Sequence, residues 1–166
     1  MVWLNDRKIK YEDGKIWVWR EMKSKPSNWV LLKGTILNTG YRHVGINKKQ
    51  FLYHRVVYFI HNTDWKIHDT SMDNIIDHID RNRLNNSIEN LRVVTNSQNQ
   101  WNRDVKGYDL HKASGKYQAR IKLNGHQTYL GLFENEDDAR TAYLNAKAIH
   151  HVIACSSVPP QFELLE

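Results

Sequence analysis

The stretch that most restricts what this chain can fold into is IIDHIDRNRLNNSIENLRVVTNSQNQ, residues 75–100. Residues 75–79 are apolar enough for a strand, and RNRLNNSIEN carries the Asn, Ser and Arg of a loop. LRVVT returns as a second strand. TNSQNQWNR can open a helix, because the side chain of Asn96 or Ser97 can accept the free amide hydrogens of a first turn. The segment therefore reads strand, loop, strand, helix.

The flanking sequence has a different texture on each side. From Met1 to His54, short runs rich in Trp, Val, Ile and Tyr are broken by turn signals at EDGK, LNTG and NKKQ, the pattern of a small antiparallel meander. Expected strands are 16–19, 29–32, 41–46 and 50–53. Trp3, Trp17, Trp19 and Trp29 are expected to supply core, with base stacking as the alternative. HRVVYFIHN mixes β-branched residues with helical spacing of Tyr53, Val56, Val57 and Ile60, and is read as a short helix. After residue 105, KGYDLH, KYQARIKL and QTYLGLF form three strand-like runs separated by ASG and NG. NEDDARTAYLNAKAIHH then reads as a helix capped by Asn135, with acids at its positive end and an apolar face of Ala139, Ala142, Tyr143, Ala146 and Ile149. The fold class is α+β, and the length allows one domain or two small ones.

Composition narrows the partners. A net charge of +6 and a pI near 9.4 favour an anionic one. Cys155 is the single cysteine, which excludes an internal disulfide framework, and no structural zinc is expected. No apolar run approaches the roughly 18 residues of a membrane helix, and the first residues lack a secretory core, so an intracellular protein that is neither anchored nor secreted is expected.

Several residues of the 75–100 segment suit phosphodiester chemistry. Such hydrolysis needs a cation for the growing charge, a base for water and a group that orients the base. Mg²⁺ prefers hard oxygen ligands and keeps much of its water, so Asp77 and Asn99 could hold it. His78, with an ordinary pKa near ~6.5, is the candidate base, and Asn90 could fix its ring. Loop asparagines also serve as turn residues with no chemistry. Neighbours on a regular strand face opposite ways, so Asp77 and His78 can share a site only at a bulge or strand end.

DHIDRNRLNNSIENLRVVTNSQNQ resembles the HNH endonuclease motif, the ββα-metal fold, in the homing type found in phages and other viruses. The likeness covers about 25 residues in order and spacing: the Asp-His pair, the Asn-Asn loop, ENLR and the Asn of the helix. It extends more loosely to GYRHVGINKKQFLYHRVVYFIHN, where the HR dipeptide makes His54 a packing or bracing residue. The resemblance implies that Asp77 and Asn99 hold one Mg²⁺ or Mn²⁺, that His78 is the general base and that Asn90 braces it. Arg81 stands where such sequences commonly have Gly, so either a cation lies near phosphate there or the turn is built differently. Arg83 and Arg92 are further expected DNA contacts.

Residues 106–150 resemble the three-stranded DNA-binding domain of plant ethylene-response transcription factors (APETALA-like), through KG, GKYQARI, YLGLF and ARTAY. The resemblance implies a sheet that enters the major groove with the helix behind it. His111, Gln118 and Arg120 are the expected base readers; Lys112, Lys116, Lys122, Tyr117 and Tyr129 are further DNA contacts.

The expected organisation is a nuclease domain at 1–104 with its ββα-metal core at about 74–103, a DNA-binding domain at 105–152 and a tail at 153–166. The expected protein is a Mg²⁺-dependent, site-recognising endonuclease of double-stranded DNA. It is a hydrolase that nicks as a monomer, with dimerisation left open, in the host cytoplasm or nucleus. The alternative is a catalytically silent DNA-binding regulator.

Overall fold

The computed structural model describes residues 1–153, which form two compact units, one of residues 1–99 and one starting at Gln100. Most of the expected tail, with Cys155, lies outside the described residues. The fold is mixed α+β, built from small antiparallel sheets and three α-helices.

In the first unit the N-terminal residues form two sheets rather than one meander. β1 (Val2–Leu4), β2 (Arg7–Glu12), β3 (Lys15–Arg20) and β4 (Asn28–Leu31) pair in order; β5 (Thr35–Ile36), β6 (Arg42–Ile46) and β7 (Lys49–Leu52) make a second sheet. The tight turns rest on residues that tolerate left-handed backbone, Asn5-Asp6, Asp13-Gly14 and Asn47-Lys48. α1 (Tyr53–His61) follows directly, settling the HRVVYFIHN stretch as helix. β8 (Ile75–His78) and β9 (Leu91–Val94) then pair antiparallel, with a 3₁₀ turn at Ile88–Asn90 before β9, and α2 runs over Asn96–Trp101.

Strand alternation decides which apolar residues build the core. Leu4, Ile9, Ile16 and Val18 point one way and bury against Val44, Ile46, Phe51, Tyr53, Val56 and Val57. Full burial of each such aliphatic side chain contributes about 1.5–3 kcal/mol. The expectation that the N-terminal tryptophans supply this core is corrected: Trp3, Trp17, Trp19 and Trp29 alternate with the buried positions and lie on the opposite face of the sheet.

The second unit is a sheet in the order β10 (Tyr108–His111), β11 (Lys116–Leu123), β12 (His126–Phe133), packed on α3 (Glu136–His150). Asn135 caps α3 by accepting the Asp138 backbone N–H at 2.8 Å. Ala139, Tyr143 and Ala146 are buried with Ile121, whereas Ile149, expected on the apolar face, is 69% exposed in the last turn. A register shift between Ala119 and Arg120 leaves Leu130 as the extra residue of β12, which preserves alternation on both sides.

Gly107, ahead of β10, has φ +80°, and a Cβ there would fall inside the Tyr143 ring. Gly107→Ala is expected to destabilise the second unit by about 2–4 kcal/mol, combining left-handed strain with overpacking. Thermal unfolding together with hydrogen exchange in α3 checks it; unchanged exchange would contradict the packing described.

Candidate active site

The candidate site begins with β8. After half-buried Ile75 the strand is buried throughout, and its last two residues are Asp77 and His78, 6% and 4% exposed. His78 ends the strand, which meets the geometric requirement that an adjacent pair sharing a site sit at a strand end.

Asp77 is paired across the hairpin with Arg92. Arg92 Nε and Nη2 both donate to Asp77 Oδ2, at 2.9 and 2.8 Å. The structure thus places Arg92, an expected DNA contact, in an ion pair with Asp77, its side chain 14% exposed. Its guanidinium compensates a buried carboxylate, which would otherwise cost several kcal/mol.

His78 Nε2 lies 3.0 Å from Asn86 Oδ1. The amide of Asn86 is oriented by its own Nδ2, which donates to the Leu84 carbonyl at 3.2 Å. The oxygen thus faces the ring, an arrangement that assigns the ring proton to Nε2. The brace on the ring is Asn86 rather than the expected Asn90. Asn90 instead ties the loop together: its Nδ2 donates to Asp80 Oδ1 and to the Asn85 carbonyl, both at 2.8 Å, and its Oδ1 accepts the Asp80 N–H at 3.0 Å. Asp80 also accepts from Asn85 Nδ2 at 2.7 Å and from the Asn82 N–H at 2.8 Å, and these bonds, led by Asn85, hold its carboxyl below the usual range. Most of the loop's asparagines thus knot the connection around one carboxylate.

α1 supports the site through its HR dipeptide. Arg55 donates to the carbonyls of Ile67, Asp69 and Asn74 and lies over the Trp65 ring, clamping the 62–74 segment that leads into β8. Asn74 completes the clamp, donating to the Lys66 and Asp69 carbonyls and accepting from Trp65 Nε1. His54 meets His78 edge to face at 5.0 Å, and Tyr41 lies 5.2 Å from His54 and 6.0 Å from His78. His54 is buried, and among the described residues its Nδ1 has no hydrogen-bond partner. Burial first, then His78 and Arg55, pushes its pKa down to about 3.

Asn99 is half-buried on α2, one turn beyond Thr95, whose carbonyl accepts its N–H at 2.9 Å. The donors expected to hold a cation, the Asp77 carboxylate and the Asn99 amide, are both hard oxygens. That set fits a largely hydrated Mg²⁺ or Mn²⁺ and not a softer ion. Among the described residues no group of three His, Cys, Asp or Glu side chains is placed to hold a metal. A cation at Asp77 must also share the carboxylate with Arg92.

The other expected DNA contacts divide by position. Arg83 donates to the Thr39 carbonyl at 2.6 Å and covers the Tyr41 ring. Arg81 adopts φ +66°, so the turn keeps the left-handed geometry expected of Gly and accepts the strain. In the second unit Gln118, Arg120, Lys122 and Tyr129 share the face of the sheet away from α3, as do His111 and Lys116. Arg120 pairs with Asp109 and Lys116 with Glu134, each at 2.5 Å. His111 Nδ1 meets Ser114 Oγ at 2.9 Å, and Lys112 lies in the exposed turn after β10. Tyr117 lies on the other face, sharing the helix side with buried Ala119 and Ile121, edge to face with Tyr108 and bonded to Glu136.

Residues 51–101 match the family model described as HNH endonuclease. The match supports an HNH nuclease and spans α1, the β8–β9 hairpin and α2, under a third of the chain. No curated protein and no solved structure gives a match.

His54 gives the HNH segment a pH signature. Above about pH 6.5 it is neutral folded or unfolded, and stability is complete. Below that the unfolded chain takes up a proton that the folded chain refuses until about pH 3, so stability falls by up to about 1.4 kcal/mol per pH unit from this group. His54→Leu is expected to flatten the acid limb in urea unfolding between pH 6 and 4. An unchanged slope would show that the ring is not held neutral.

Proposed function

We propose that the protein is a metal-dependent DNA endonuclease whose first unit cuts and whose second unit docks on duplex DNA. The observation that carries this reading is a buried Asp-His pair ending β8, inside the segment that matches the HNH endonuclease model. His78, oriented through Nε2 by Asn86, takes a proton from water at Nδ1, and the resulting hydroxide attacks the phosphorus in line. Asp77 and Asn99 would hold one Mg²⁺ or Mn²⁺, whose chemistry is to offset charge on the phosphate and the departing 3′ oxygen. Products are a 5′-phosphate and a 3′-hydroxyl. With one site per chain, a monomer nicks, which suits a homing-type enzyme acting inside a host cell.

Docking by the second unit is supported by the sheet face away from α3, which carries Arg120, Lys122, Gln118 and Tyr129, the kind of face that the resemblance to the ethylene-response domain implies for the major groove. Pairing of Arg120 with Asp109 and of Lys116 with Glu134 leaves both cations able to exchange a protein carboxylate for phosphate or a base edge.

A second reading, a catalytically silent DNA-binding regulator, is favoured by the pairing of Asp77 with Arg92 and the near-complete burial of His78. Supercoiled plasmid separates the two. With Mg²⁺ the wild type is expected to nick, chelator to abolish nicking, and His78→Ala to slow it by roughly 10²–10⁴-fold with DNA binding unchanged. No nicking by the wild type, or equal loss of binding in the variant, would favour the silent regulator.

A further inference from the structure

The outer face of the N-terminal sheet is unlike an ordinary solvated face. Trp3, Trp17, Trp19 and Trp29 share it with Lys8 and Lys10, because each alternates with a residue of the core face along its strand. The register interleaves the two kinds of side chain: Trp3 stands opposite Lys8, Lys10 opposite Trp17, and Trp19 opposite Trp29. Trp3 is 65% exposed. Trp19 and Trp29 pack edge to face at 5.4 Å, so their rings do not stack on each other. Lys8 Nζ sits 5.8 Å from the centre of the Trp3 ring and Lys10 Nζ 5.0 Å from that of Trp29. The one acid pointing the same way along β2, Glu12, pairs with Lys10 at 2.7 Å, and Lys15 stands opposite it.

From this arrangement we propose that the outer face of β1–β4 is a binding platform for single-stranded nucleic acid. An unpaired nucleotide offers both partners the face presents, a flat π surface for an indole and a phosphate for a lysine. Lys8, over the exposed Trp3 ring, is weakly held, and a base that takes that ring releases the lysine to the adjoining phosphate, while Lys10 can exchange Glu12 for phosphate beside the half-buried Trp29. Duplex DNA offers the charge but keeps its base faces inside the stack, so the indoles select the single strand. The platform is separate from the Asp77–His78 pair, and its occupancy does not depend on cleavage.

The test uses the full chain with chelator present, so that binding is read without cutting. Anisotropy of a labelled oligothymidylate of about 12 nucleotides, with tryptophan emission followed in parallel, is compared with a duplex of equal length. Single-strand binding is expected to quench tryptophan emission, and Trp29→Ala is expected to weaken it by about 5- to 100-fold while duplex affinity stays the same. Trp29→Phe is expected to recover most of the loss, and Lys8→Gln to reduce the salt dependence. Trp3→Ala, at the most exposed of these positions, keeps the test informative if Trp29→Ala fails to fold. Unchanged single-strand affinity in the folded tryptophan variants, or an equal loss for duplex, would overturn the platform.

Discussion

A carboxylate with 6% of its surface in water has to be compensated, and in this protein the compensation is the Arg92 guanidinium across the β8–β9 hairpin. Removing one partner of such a pair typically costs about 3–5 kcal/mol, because the other charge stays buried alone. The pairing also sets the register: Asp77 opposite Arg92 places His78 opposite Leu91, at the point where the strand ends and the chain turns away. Arg92 thus performs two tasks, holding the hairpin in register and occupying the carboxylate that a divalent ion would use.

Around this pair the fold arranges its supports. Asn86 orients the His78 ring, the Asp80–Asn85–Asn90 knot holds the loop that carries Asn86, and Arg55 anchors the segment entering β8. His54 fills the space behind His78 as a neutral ring, since its burial disfavours a positive charge there. The side chains proposed for chemistry therefore rest on a short helix and a hairpin, with the loop asparagines acting through hydrogen bonds to one another.

Much of the framework was legible because turn chemistry is local. The Asn-Gly, Asp-Gly and Asn-Lys turns mark where strands end, and Asn135 with the following acids marks the start of α3, independently of tertiary context. The choice between Asn86 and Asn90 was not legible, since both are loop asparagines and only the folded backbone decides which amide oxygen reaches the ring. The pairing of Arg92 with Asp77 was not legible, because the two are 15 residues apart and become neighbours only through strand register. In KIWVWR both alternating sets are apolar, so periodicity could not choose the buried face; the compact Ile16 and Val18 took the core and the indoles the outside.

The account depends most on Asp77 and Asn99 serving one cation beside His78. Titrating isotope-labelled protein with Mn²⁺ and following paramagnetic broadening by NMR tests this directly. The account predicts that the His78 ring and the Asn99 side-chain amide broaden first, and that Asp77→Asn, which removes the charge but keeps an acceptor oxygen for Arg92, greatly weakens the effect. Broadening confined to surface carboxylates such as Asp80 or Glu136, with His78 and Asn99 untouched, would contradict it.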